Sequence, residues 1–250
     1  METIAIINRK GGSGKTVTAA NLGATLQRRH GKRVLFVDLD QQGNLTHYFK
    51  GKTDNATIFE VLTGQTSVEQ SLEPVDYGQI ITADTALAQI EGHIQETVGL
   101  QKLRQELAKV ADRFDLCILD CPPALNGITL SALMAADSVI IPSLASIFSL
   151  KGIESLNNAI RAIKKAGNPD LKISGILLTQ YDGRNNLSRN IRQYASEMAQ
   201  VLNTRLFDTT IRRTVRVDES ILSQQALIDF APRCSAQADY ERLALEVLHG

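Results

Sequence analysis

The chain has no tryptophan, 5% aromatic residues, three cysteines and no net formal charge, since 27 Lys plus Arg balance 27 Asp plus Glu. Each shortage excludes something. Few rings and no indole rule out an extended base-stacking platform for single strands. Balanced charge rules out a wholesale basic coat for nucleic acid, while leaving a local basic face open. Cys117, Cys121 and Cys234 are an odd number, which suits a reducing compartment better than a disulfide framework. His30, His47, His93 and His249 are too scattered to build a zinc site. No apolar run reaches the roughly 18 residues that a bilayer span needs, and a strand-like run starts immediately after the N-terminus. A cytoplasmic protein is expected. What is present is a 43% apolar share over 250 residues, enough for a sizeable core and too much for a disordered chain. With no repeat, low-complexity tract or Pro/Ser linker, residues 1–250 read as one domain.

Short β-branched runs alternate with helical patterns. The runs are Thr3–Asn8, Arg33–Asp38, Gln79–Thr82, Asp115–Asp120, Ser138–Pro142 and Lys172–Thr179. The helical patterns lie near Lys15–Arg29, Leu100–Ala111, Leu150–Ala166, Leu187–Leu202 and Ala236–Leu248. Strands that are apolar on both faces and separated by helices imply an α/β fold. Its mostly parallel sheet would be doubly wound, with helices on both sides. The less regular stretch Phe49–Glu96 is expected as an excursion from that sheet.

The first run passes into Arg9-Lys10-Gly11-Gly12-Ser13-Gly14-Lys15-Thr16, and a helical pattern follows. Glycines let the backbone turn sharply and aim its N–H groups inward, and the helix N-terminus adds a positive dipole that favours phosphate. In a P-loop of this kind Lys15 reaches the β- and γ-phosphates and the Thr16 hydroxyl completes a Mg²⁺ shell. The spacing departs from G-x-x-x-x-G-K-[ST], because Arg9 stands where the first glycine belongs. Two further apolar runs end in carboxylates. One runs through Asp38-Leu39-Asp40-Gln41-Gln42-Gly43-Asn44, the other through Asp120-Cys121-Pro122-Pro123. Strand C-termini of such sheets face the ligand crevice.

Lys10-Gly11-Gly12-Ser13-Gly14-Lys15-Thr16 resembles the deviant Walker A motif of the ParA/MinD partition-type ATPases. It looks most like small ParA/Soj-type members without an N-terminal DNA-binding domain. The resemblance implies that Lys10 is the signature lysine, reaching across a homodimer to the opposite subunit's nucleotide. There it would offset charge on the transferred phosphoryl group as an arginine finger does. It also implies nucleotide contacts from Gly11, Gly12, Ser13, Gly14, Lys15, Thr16 and Val17, the last standing where the family often has a second threonine. Asp38-Leu39-Asp40-Gln41-Gln42-Gly43-Asn44 is similar to the family's D-x-D-P-Q-G-N stretch, with Gln41 in place of proline. Asp40 would then orient the attacking water and Asp38 support the metal, while Asp120 ends a Walker B strand and holds Mg²⁺ through water. Leu177–Ser188 resembles the family's L-T-x-x-D-x-R-x-N-L-S segment. By that resemblance Thr179 and Thr210-Ile211-Arg212 lie near adenine, with Arg212 in place of a common proline. Arg213–Ser220 resembles R-x-V-R-x-x-E-[AS].

From Arg184 to Arg216 there are seven arginines and no lysine, against only Glu197 and Asp208. Family members of this type bind DNA without sequence preference when dimeric and ATP-bound. That points to Arg189, Arg213 and Arg216 as DNA contacts, with affinity that falls with salt. The same arginines could instead form a solvated helix face or intramolecular ion pairs. The resemblance therefore implies an ATP- and Mg²⁺-dependent hydrolase, slow and stimulated by a ParB-like adaptor. It would be nucleoid-associated and would partition a plasmid or chromosome. Positioning of a protein cargo such as a carboxysome or chemoreceptor cluster, or a metabolic ligase on the same fold, are the alternatives. The C-terminal pattern has an acidic polar face and reads as a packed helix, not a membrane anchor. With a P-loop starting at residue 10, no operator-binding domain is expected ahead of it. Lys151 is a further candidate basic contact near a dimer face.

Overall fold

The computed structural model describes residues 1–54, 56–92, 97–144, 153–183 and 186–249. Strands β1 (Glu2–Ile6), β2 (Val34–Asp38), β3 (Glu73–Val75), β4 (Gly78–Ile81), β5 (Leu116–Asp120), β6 (Ser138–Leu144) and β7 (Lys172–Thr179) form one sheet. Its order is β3-β4-β2-β5-β1-β6-β7, and only the β3–β4 pair is antiparallel. The helices are α1 (Lys15–His30), α2 (Asn44–Tyr48), α3 (Ile58–Thr63), α4 (Thr97–Ala108) and α5 (Gly127–Ala135). They continue as α6 (Ile153–Ala166), α7 (Asn186–Val201), α8 (Val215–Leu222), α9 (Leu227–Phe230) and α10 (Ser235–His249).

The strands read as continuous apolar runs because both of their faces are covered. On one face Leu103, Leu107, Leu133, Ile160 and Ile191 pack on Leu35, Val37, Leu119 and Ile141. On the other, Ala19, Leu22, Leu26, Tyr240 and Leu243 pack on Ile4, Ile6, Phe36 and Ile118. The doubly wound α/β expectation is met. Helix α10 buries Ala236, Tyr240, Leu243 and Ala244 against the second face, so the C-terminal pattern is a packed helix.

The stretch Phe49–Glu96 does not leave the sheet as expected. Its β4 pairs in parallel with β2, Leu35 opposite Gln79, and β3 folds back on β4 through the Asp76-Tyr77 turn. The turn depends on Gly78 (φ 143°), where a Cβ would collide with the Val34 carbonyl oxygen. Helix α5 carries no amphipathic period because nearly every side chain in it is buried; its start is fixed by Asn126, whose side chain accepts from Thr129 N.

Candidate functional site

Parallel strands deliver their C-terminal ends to one edge, and there the chemistry collects. In register, Asp38 on β2 stands beside Asp120 on β5, and Ile6 of β1 lies on the other side of Asp120. The loop from Asn8 to Gly14 leaves β1 and turns into α1. Gly12 (φ 71°) and Gly14 (φ 85°) are left-handed, and the Gly14 N-cap offers no side chain to the helix start. The first N–H groups of α1 are thereby left for an anion.

The loop is anchored from the far side of the sheet. Asn8 Nδ2 donates to Pro142 O at 2.7 Å, and Asn8 Oδ1 accepts from Lys10 N at 3.1 Å. The Thr179 hydroxyl, at the end of β7, donates to Ser13 O at 2.9 Å. Thr179 thus acts on the phosphate loop itself, and its Cγ2 lies against Gly14. Asn8 was not legible as a site residue; its only sequence signal is an amide at the end of the strand that feeds the glycines.

Lys15 is 7% exposed and Ser13, Asp38 and Asp120 are fully buried. The two carboxylates live differently. Asp38 Oδ2 accepts from Thr46 N at 2.8 Å and Thr46 Oγ1 at 2.9 Å, while Oδ1 accepts from Asp40 N at 3.1 Å. Burial outweighs these donors and pushes Asp38 up to about 6. Among the described residues neither Asp120 oxygen has a well-formed hydrogen bond, and Ser13 Oγ is likewise buried without a partner. Burial first, then the negative charge of Asp38, raise Asp120 well above the usual carboxylate range, against the Thr16 hydroxyl and the Lys15 ammonium. A buried carboxylate in that state is costly unless a cation completes it. The donor set suits a hydrated divalent cation, since Mg²⁺ needs few carboxylates and keeps most of its waters. Lys15 and the free N–H groups suit the phosphates beside it. Cys121, next to Asp120, is buried and its thiol is pushed up by burial, so it stays protonated.

Asp40 is partly exposed, and its Oδ1 accepts from Gln42 N at 3.1 Å. The Lys10 backbone is held by Asn8, and its side chain is partly exposed beside Gly11 and Gly12, both exposed. Next to the loop lies a cavity of about 540 Å³ lined by Gly14, Val17, Thr179, Ile211, Val217 and Tyr240 among others. Its size and largely apolar wall suit a flat heterocycle. Arg212 borders this cavity, but its guanidinium is turned away. It grips the fully buried Asp239, with Nη2 to Oδ1 at 2.8 Å, and donates to Ser235 O. Its backbone N–H also donates to Asp239 Oδ2, at 2.9 Å.

The arginine-rich stretch divides. Arg205 donates to Ser174 O and Glu246 O and lies over the Phe207 ring. Arg192 reaches Asp208 O, and Arg216 pairs with Glu219 at 2.7 Å while remaining exposed. Arg189 and Arg213 are exposed and form no ion pair among the described residues. Arg184 and Lys151 lie outside the described residues.

A family model described as an AAA domain matches residues 1–173. The Bacillus subtilis sporulation initiation inhibitor protein Soj is 37% identical over 98% of this chain and 97% of its own length. A Caulobacter vibrioides chromosome partitioning protein ParA is 34% identical over 99% of this chain and 94% of its own. The chain belongs to the ParA/Soj family of P-loop ATPases. This ParA-family chain also superposes on a Mycobacterium smegmatis structure named cobyrinic acid a,c-diamide synthase, solved with a bound ATP analog and magnesium. The TM-score is 0.86 and the identity 30%, over 99% of this chain and 94% of that one. Among the described residues of this ParA-family chain, no helix is long and apolar enough to cross a membrane.

Proposed function

We propose that residues 1–250 form one ParA-like ATPase domain that hydrolyses ATP with Mg²⁺. In this reading it closes as an ATP-sandwich homodimer, binds DNA without sequence preference in the cytoplasm over the nucleoid, and moves a DNA cargo with a ParB-like partner. The observation that carries the reading is Asp120, a buried carboxylate with two unsatisfied oxygens beside Lys15 and Thr16 at the mouth of a glycine loop. Bound Mg²⁺ supplies charge neutralisation at the phosphates and a template for in-line displacement. Asp120 and Thr16 would hold it, with Asp38 behind them keeping the loop after β2 in place. Lys15 and the N–H groups of residues 11–17 bind the phosphates. Asp40 orients water at the open side, and Lys10 extends toward the opposite subunit. The cavity at Val17 and Ile211 takes the base.

Steady hydrolysis is slow in this scheme and rises when an adaptor completes the dimer. Arg189, Arg213 and Arg216 supply a patch that becomes effective when two copies are joined, because linked patches multiply avidity. The test is binding to random-sequence duplex DNA in ATP, ADP and no nucleotide across a salt series, with Lys10→Ala as control. Salt-sensitive binding in ATP alone, lost in Lys10→Ala, is expected. ATP-loaded dimers that bind no DNA at any salt overturn the reading. The name of the M. smegmatis structure favours a second one, a metabolic ligase, which predicts ADP release that depends on a carboxylic acid substrate and no DNA binding.

A further inference from the structure

Between the phosphate edge and the arginine face runs a buried chain of polar contacts that hydrolysis itself does not call on. It starts at Asp38, whose Oδ2 holds both the N–H and the hydroxyl of Thr46. Thr46 sits in α2, a helix of only five residues, and Tyr48 at its other end is fully buried. The Tyr48 hydroxyl lies 2.6 Å from Ser220 Oγ in α8 and accepts from Asn21 Nδ2 of α1 at 3.3 Å. Ser220 is itself fully buried, and its hydroxyl donates to Val217 O at 2.8 Å. A second tie runs from just beyond α8 to α2, where Gln224 Nε2 donates to His47 O at 2.9 Å. Asn21 Oδ1 in turn accepts from Leu227 N at 2.8 Å, fixing the chain just beyond α8 to the P-loop helix.

Helix α8 is therefore hung from two supports, α1 behind the glycine loop and α2 behind Asp38. It carries Arg216, and its N-cap is Thr214, the residue after Arg213. At the same time Val215, Val217 and Asp218 border the base-side cavity. A rearrangement of the loop from Asp38 to Gly43 has to move Thr46, and a five-residue helix offers no slack to absorb that before Tyr48.

We propose that Tyr48 and Ser220 are positioning residues: through them the loop after β2 sets where α8 presents Arg213 and Arg216, so that nucleotide state becomes the state of the arginine face. This rests on the proposed function in taking the arginine face as the DNA surface, but the coupling is readable without DNA. Buried hydroxyls of this kind could instead serve packing alone. In that case their removal lowers stability by the same amount in every nucleotide state and leaves the difference between states intact.

The experiment is hydrogen exchange of the Val215–Leu222 amides in ATP and in ADP, for the wild type, Tyr48→Phe, Ser220→Ala and Gln224→Ala. Each variant is also assayed for nucleotide binding and unstimulated hydrolysis. The wild type is expected to show an ATP-minus-ADP difference in α8. Tyr48→Phe and Ser220→Ala reduce it by about tenfold, the usual size of a coupling between sites, with nucleotide binding within about twofold of wild type. Gln224→Ala, on the partly exposed outer tie, reduces it less and guards against the case in which a buried variant does not fold. No nucleotide-dependent difference in wild-type α8, or an undiminished difference in all three variants, overturns the proposal. A Tyr48-dependent difference in a protein that binds no DNA upholds the coupling and removes the DNA reading. DNA binding that switches with ATP while α8 stays unchanged does the reverse.

Discussion

Two regions of this molecule carry charge in opposite ways. At the strand ends, Asp38 and Asp120 are taken fully out of water side by side, and among the described residues the two oxygens of Asp120 lack a well-formed hydrogen bond. On the face from Arg189 to Arg216, the guanidinium groups stay in water and are held piecemeal: Arg212 by Asp239, Arg216 by Glu219, Arg205 by hydrogen bonds to backbone carbonyls. The first arrangement carries a burial cost that a bound cation would relieve. The second is stable as it stands, so charge density alone does not tell which arginines serve a ligand. A burial cost is a stronger sign of function than a cluster of like charges.

The largest effect that sharpens this contrast comes from Asp120→Asn. Removing the buried charge should lower hydrolysis about 10²-fold or more while raising the stability of the nucleotide-free protein by about 1–2 kcal/mol in urea unfolding. Unchanged or reduced stability would break the claim that the site is under electrostatic cost. On the other region, Arg212→Ala and Arg213→Ala should part company. Arg212→Ala leaves buried Asp239 with Arg242 and the backbone N–H of residue 212 and should cost about 2 kcal/mol of folding stability. Arg213→Ala should stay within about 0.5 kcal/mol and instead weaken duplex binding uniformly, lowering the slope of log K against log salt by about 1. If both behave alike, the division of that face into paired and free arginines fails. Thr179→Val should cost about 1 kcal/mol and raise KM for nucleotide, measured against an unchanged Arg213→Ala control, because its hydroxyl steadies Ser13.

The smallest effect concerns an exposed carboxylate as counterpart to the buried ones. Asp115 is held down to about 2 by hydrogen bonds from the Arg33 side chain and backbone. A depressed carboxylate contributes stability that is fully present above its unfolded value, about 4, and is lost as pH falls through the folded one. Wild type should therefore melt slightly above Arg33→Gln at pH 7, and the gap should close as pH approaches about 2. A gap that widens in acid would reverse the assignment.

Much of the fold was open to reading because strand and helix periods differ so clearly: β7 spans Lys172–Thr179 as expected, and α1 extends the expected Lys15–Arg29 by one residue. Helix α5 escaped because a helix buried all round shows no period. Strand β4 was legible in the run Gln79–Thr82, but β3 and the turn into it escaped because their evidence is one glycine whose need is steric and arises only against β2. At the site, Lys15, Thr16, Asp38 and Asp120 do come together, since the residues that bind phosphate also shape the backbone around it. Thr46 and Asn8 were invisible because their work is done on other protein groups, Asp38 and Ala83 for the one and Lys10 and Pro142 for the other, and no spacing encodes that. The Arg212–Asp239 pair was hidden for the same reason: Asp239 lies 27 residues on in a different helix.

Helix α1 can lie as deep as it does because position 23 has no side chain; a Cβ on Gly23 would run into the Phe36 ring of β2 and the Ile118 Cδ1 of β5. Nine residues of helix, about 13 Å at 1.5 Å each, separate that contact from Gly14. The missing methyl therefore works as a gauge block for a distant tool: it sets the height at which the glycine loop meets the strand ends. Gly23→Ala would be a mutation of reach, misaligning phosphate contacts from a place that touches neither nucleotide nor metal. Drift at this position should be as damaging to turnover as drift in the loop itself, though nothing about Gly23 looks catalytic.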